Sequence, residues 1–151
     1  MYLHLSGESE LKTILVPIDG SNNSMRAVDY AIAQCEHGPT AVHILNVEPP
    51  LDNYGMVRAY MSRQQHNKAM KARADGILRR AVRRVGSARV HCKTHAAIGD
   101  VAATIAATAR RLRCESIVMG TRGMGSLGNL LLGSVATKVI HLAHVPVTLV
   151  K

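Results

Sequence analysis

The chain has 151 residues, 47% hydrophobic and 19% charged, which is the length of one ordinary domain and the composition of a globular rather than a disordered protein. It has no Phe, no Trp and only four Tyr, so its core must be built from Val, Ile, Leu, Ala and the seven Met. The net charge of +9 is compatible with an acidic partner, while the lack of any run of about 18 apolar residues excludes a helical membrane span.

Residues 1–12 mix His4, Glu8 and Glu10 and lack the basic-then-apolar order of a signal peptide. A single domain over residues 1–151 is expected, with residues 1–11 a flexible N-terminal segment. Residues 12–18 (KTILVPI) form a β-branched apolar run that reads as a buried strand, ending in the turn signal Asp19-Gly20-Ser21. An amphipathic helix is predicted over 24–35 and a strand over 40–47, closed by Glu48-Pro49-Pro50. Residues 51–65 read as a loop entering a long helix. From 69 to 85 the positions Met70, Ala74, Ile77, Leu78, Ala81 and Val85 follow helical spacing, with Arg73, Arg80, Arg83 and Arg84 mostly on the other side. This helix carries most of the charge. Positions 58–93 hold eleven Lys or Arg against the one acid Asp75, and the rest of the chain has eight bases and nine acids. A solvated helix face is the simpler reading of that block. Nucleic acid is the lesser one, since only Tyr60 offers a ring for stacking.

After Gly86, residues 89–96 alternate Val90, Cys92, Thr94 and Ala96 with His91, Lys93 and His95, as in a strand at a sheet edge. Asp100 is placed to cap a helix over 101–112. A fourth strand is predicted over 116–119, then a loop from Gly120 to Gly133, a helix over 134–143, and a last strand over 147–150 after Pro146. Alternation of this kind favours right-handed βαβ units. The expected fold is α/β: a doubly wound, five-stranded parallel sheet with helices on both faces. Cys35, Cys92 and Cys114 form no CxxC pair and are odd in number, which suits small buried thiols in a reducing cytoplasm.

In such sheets ligands bind beyond the carboxyl ends of the strands. Two strand ends carry unusual chemistry: Pro17 to Ser21, and the segment GTRGMGSLG from Gly120 to Gly128 that continues to Gly133-Ser134. Five glycines in fourteen residues would cost a mere connector much chain entropy, whereas glycine lets backbone N–H groups approach a phosphate. A helix starting at Ser134 adds free N–H groups and a dipole that favour anions. Gly123 to Gly128 spells GxGxxG, but no acid follows Glu115 to bind a ribose in the dinucleotide manner. Walker A is absent. A hydrolase elbow at Ser126 lacks its first glycine, replaced by Met124, and has no following acid. The glycines alone favour a phosphate loop over a flexible surface loop and leave both open.

The pattern Gly120, two residues, Gly123, nine residues, Gly133, Ser134 resembles that of ATP-binding universal stress proteins. The segments ILVPIDGS, HILNVEPP, SIVMGTRG, LLLGSVATKVI and PVTLVK extend the resemblance from Lys12 to the end of the chain. It implies that Gly120, Gly123, Gly133, Ser134 and Val135 hold the triphosphate and ribose through backbone N–H groups and the Ser134 hydroxyl. Asp19 would bond near the ribose or adenine, Pro17 and Val47 would flank the adenine, and Met119 would line the base pocket. From its residues alone, Asp19 reads as a turn residue bonding to the backbone of Ser21. The departures are Glu115, where many relatives have Asp, and the unusually basic second helix.

The function expected on this basis is regulatory: binding of ATP, with or without Mg2+, that changes conformation or the binding of an unidentified partner protein. Fast hydrolysis needs a positioned base and metal ligands. Near the loop only Arg122 and Lys138 could stabilise charge, and Asp19 is the one acid. Slow ATP hydrolysis or self-phosphorylation at Ser126 or Ser134 is the alternative. A homodimer is expected through residues 147–150, an apolar and poorly guarded edge strand; the resemblance implies the same.

Overall fold

The computed structural model describes residues 11–50, 52, 61–86, 90–123 and 132–151. Five strands lie parallel in one sheet: β1 (Lys12–Pro17), β2 (Thr40–Glu48), β3 (His91–Ile98), β4 (Ser116–Gly120) and β5 (Val147–Val150). Their order is β3-β2-β1-β4-β5, so the chain winds outward from β1 to β3 and then returns to the other side of β1. Both strands expected at edges, β3 and β5, are at edges. The doubly wound reading holds.

Side chains alternate across the sheet, and each face has its own helices. Ile14 and Val16 of β1, with Val42, Ile44 and Val118, pack against α1 (Asn22–Gln34) and α2 (Arg63–Val85). Leu15, Leu45, Ile117 and Met119 point the other way, onto α3 (Val101–Arg111) and α4 (Ser134–Leu142). The helices meet the sheet largely through alanine, at positions 27, 31, 74, 81, 102, 109 and 136. That small-residue contact lets a core without Phe or Trp close, and Met25 and Met119 are the buried methionines among the described residues.

Helix starts differ from the sequence expectation where caps decide them. Ser21 caps α1 by accepting the N–H of Ser24 at 3.2 Å, which moves the start to Asn22. The start of α2 lies six residues before the expected position 69. Ser62 and Gln65 form a reciprocal capping box, with Gln65 N–H to Ser62 Oγ at 3.2 Å and Ser62 N–H to Gln65 Oε1 at 2.9 Å. Asp100 caps α3 as expected, at 2.9 Å from the Ala103 N–H. The N-terminal segment 1–10, Tyr60 and the loop residues Met124 to Ser126 and Gly128 lie outside the described residues.

Candidate functional site

The change of direction in the sheet leaves a crevice between β1 and β4, the place where open α/β sheets take ligands. Local bonding holds its rims. Ile18 N–H donates to Leu45 O at 2.8 Å, and the buried Asn46 donates Nδ2 to Ile18 O at 2.9 Å, so the ends of β1 and β2 are stitched together. On the other side Thr121 N–H donates to Val150 O at 2.9 Å, and Thr121 O accepts the Gly133 N–H at 2.8 Å. Both ends of the glycine-rich loop are thereby fixed to the end of β5.

A cavity of about 340 Å³ opens in this crevice. All nine residues named from the sequence line it: Pro17, Asp19, Val47, Met119, Gly120, Gly123, Gly133, Ser134 and Val135. The structure also brings in residues that sequence reasoning missed. Val101 and Ile105 of α3 and Leu45 of β2 supply aliphatic wall, and Glu48 and Arg73 form an ion pair at 3.4 Å. Glu48 reads in the sequence only as the end of a strand. Its pairing with a helix residue 25 positions away has no local signal.

Asp19 serves the turn that its residues alone suggest. Its Oδ1 accepts the Ser21 N–H at 2.9 Å, and its own N–H reaches Ser24 Oγ at 3.4 Å. Its other oxygen lies so close to Gly123 that a Cβ there would collide with it. Gly123 must therefore be glycine for Asp19 to keep this position at the cavity wall. Gly120 needs the absence of a side chain for another reason: a Cβ would stand 2.9 Å from both the carbonyl carbon and the Cβ of Asn23 at the start of α1. Packing alone demands glycine there, whatever the cavity holds. Gly133 has no such neighbour within 3.5 Å and an ordinary extended conformation, φ −74° and ψ 155°. Its N–H is spent on Thr121, so the backbone donors available at the start of α4 are those of Ser134, Val135 and Ala136. Among the described residues no side chain caps that helix. Arg122 stands at the same wall.

Away from the cavity the three cysteines are free thiols. Burial holds the Cys35 and Cys92 thiols above their ordinary range and pushes Cys114 up to about 11, so all three are poor nucleophiles at neutral pH.

A five-stranded parallel sheet with a cavity at its switch-point crevice, beside the start of α4, defines the class: a doubly wound α/β protein. The chain belongs to the universal stress protein family, whose model matches residues 10–151. It is 31% identical over 149 residues to universal stress protein MJ0531 of Methanocaldococcus jannaschii, covering 97% of this chain and 85% of that one. It is 34% identical over 147 residues to the universal stress protein in the QAH/OAS sulfhydrylase 3′ region of Thermus aquaticus, covering 93% and 98%. Among solved structures, the protein MJ0577 superposes with a TM-score of 0.82 at 24% identity, covering 93% of this chain and 95% of that one. A universal stress protein in complex with cAMP gives 0.66 at 24%, covering 95% and 98%. The Arabidopsis thaliana protein At3g01520 with AMP bound gives 0.66 at 19%, covering 93% and 91%. Among the described residues no helix is long and apolar enough to cross a membrane.

Proposed function

We propose that this chain binds an adenine nucleotide, ATP foremost, and acts as a regulatory nucleotide-binding protein rather than a fast enzyme. One observation carries the reading: α4 begins at the wall of the switch-point cavity with no side-chain cap among the described residues, and the N–H groups of Ser134, Val135 and Ala136 lack intrahelical acceptors. Phosphate is the group that such an end accepts best, and Arg122 beside it adds a cation. The Ser134 hydroxyl is a further donor. The base then lies toward Pro17, Val47 and Met119, with Asp19 between base and phosphates. The AMP and cAMP bound by structural neighbours support the adenine class.

Mg2+ would arrive on the phosphates. The two carboxylates that line the described cavity are Asp19, which holds the Ser21 N–H, and Glu48, which is paired with Arg73. Both carboxylates among the described lining residues are thus already engaged, which favours a regulatory role over fast turnover. A cytoplasmic setting and a homodimer through β5 belong to the same reading. β5 pairs with β4 along one side, and its residues are half-buried.

The test is to extract purified protein with acid, identify any nucleotide released, and melt the stripped protein with and without ATP. An adenine nucleotide is expected in the extract. At a hundredfold excess over Kd, ATP should add about 2.7 kcal/mol, roughly 5–10 °C for a chain of this size. An empty extract with no ATP-dependent shift would overturn the proposal.

A further inference from the structure

Arg73 and Glu48 line the cavity, yet the nucleotide reading so far gives neither a contact with the ligand. Arg73 Nε lies 3.4 Å from Glu48 Oε1; the Glu48 side chain is 5% exposed and that of Arg73 is 48%. The carboxylate is therefore buried, while the Arg73 side chain that pairs with it is half-exposed. Glu48 is fixed from behind, because its carbonyl accepts the Gly99 N–H at 2.9 Å. The helix that delivers Arg73 is fixed as well. Arg80 Nη1 donates to Gly20 O at 3.0 Å, and Ile77 packs so near Gly20 that an added Cβ would lie 3.3 Å from its Cγ1. Positions 73, 77 and 80 share one helix face, so α2 clasps the β1–α1 turn and the end of β2 together.

This pair stands far from the phosphate end. β2 and β4 flank β1, which puts Glu48 two strand spacings, about 10 Å, from the end of β4 and the loop leading to α4. A base would occupy that region. The walls there are aliphatic, from Pro17, Leu45, Val47, Val101 and Ile105, and none of the described lining residues is aromatic. Two guanidinium groups line the described cavity: Arg122, next to the start of α4, and Arg73, paired with Glu48 at the end of β2, which is the one beside this aliphatic wall. Guanidinium is weakly hydrated, stacks on aromatic faces, and is oriented by a carboxylate partner.

We propose that Arg73 caps the base of the bound nucleotide, with Glu48 as its positioning residue: the purine enters between the aliphatic wall and the guanidinium plane. The proposal rests on the adenine-nucleotide reading and deepens it. The alternative, a phosphate-binding arginine, differs in a measurable way. Arg73→Lys keeps the charge and the ion pair but loses the plane. Calorimetric titrations of the parent, Arg73→Lys and Glu48→Gln proteins with AMP and with ATP decide it, alongside melting of each protein without ligand. Arg73→Lys should weaken AMP and ATP by the same factor, about three- to tenfold, with the ligand-free melting temperature unchanged. Glu48→Gln should give a smaller loss, again equal for both nucleotides. Unchanged affinities, a loss larger for ATP than for AMP, or a loss accompanied by a lower ligand-free melting temperature would each overturn the capping role. A parent protein that binds neither nucleotide would instead overturn the proposed function, and this role with it.

Discussion

A side chain at position 120 would have to share space with Asn23, whose carbonyl carbon and Cβ both lie 2.9 Å from where a Cβ would sit. Gly120→Val should therefore destabilise the ligand-free protein by about 1–3 kcal/mol, the usual range for overpacking, which melting curves would read directly. Loss of binding in that variant would say little about phosphate. Gly133→Ser is the sharper probe. The backbone at 133 already has the extended shape of an N-cap, and an added Cβ meets nothing nearer than 3.5 Å. A serine hydroxyl there would accept an N–H at the start of α4, gaining a few tenths of a kcal/mol of stability. In doing so it would occupy donors meant for phosphate. We expect slightly higher thermal stability together with ATP binding weakened about tenfold, roughly 1.4 kcal/mol. Equal ATP affinity in the serine variant, measured by calorimetry, would place the phosphates elsewhere.

At the scale of elements, the basic helix α2 divides into two sets of side chains. Arg84 grips Asp29 of α1 through two bonds, at 2.5 and 2.7 Å, and Arg80 and Arg73 hold Gly20 and Glu48. Lys68, Lys71, Arg79 and Arg83 remain exposed. The solvated face expected from periodicity thus describes only part of the helix, because hydrophobic spacing identifies the buried stripe but not which arginines reach a neighbour. The early start of α2 was missed, because apolar periodicity begins only at position 69, although Ser62-x-x-Gln65 is a capping-box sequence. Strands β1, β2, β4 and β5 were legible as short apolar runs, and β3 as an alternation. The packing of Gly120 on Asn23 was not, since two residues 97 positions apart meet only after the sheet has formed.

Between β2 and β3 the pair His43–His95 makes a pH prediction. The rings are nearly parallel and His43 Nδ1 lies 2.8 Å from His95 Nε2. Burial foremost, then His95, Lys93 and Arg111, lowers the pKa of His43; burial, Arg111 and Lys93 lower that of His95. In the unfolded chain both titrate near the ordinary value of about 6.5. As pH falls through that value the unfolded state binds protons first, so stability contributed at neutral pH is lost, and the loss continues down to the lower folded-state values. Denaturant titrations from pH 7.5 to 5 should show this decline flattened in His95→Gln. An identical decline in parent and variant would remove the pair from the account.

For the whole molecule, β5 is one edge of the sheet and the proposed dimer contact. Its strand is short and apolar, with charge at its end from Lys151 and from Arg26, whose Nε donates to the Lys151 carbonyl at 2.6 Å. Light scattering at micromolar concentration should give twice the chain mass of 16.3 kDa, and Thr148→Pro, which removes a backbone donor, should shift it toward monomer. A monomeric parent would rule the contact out. The central claim, a nucleotide lying across the switch-point cavity with its phosphates on α4, is met most directly by amide chemical-shift mapping with ATP. The account predicts that saturating ATP moves the amide signals of Gly123, Ser134, Val135 and Ala136 at one end and of Val47 at the other. Signals that stay in place at these positions while those of the outer face of α2 move would contradict it.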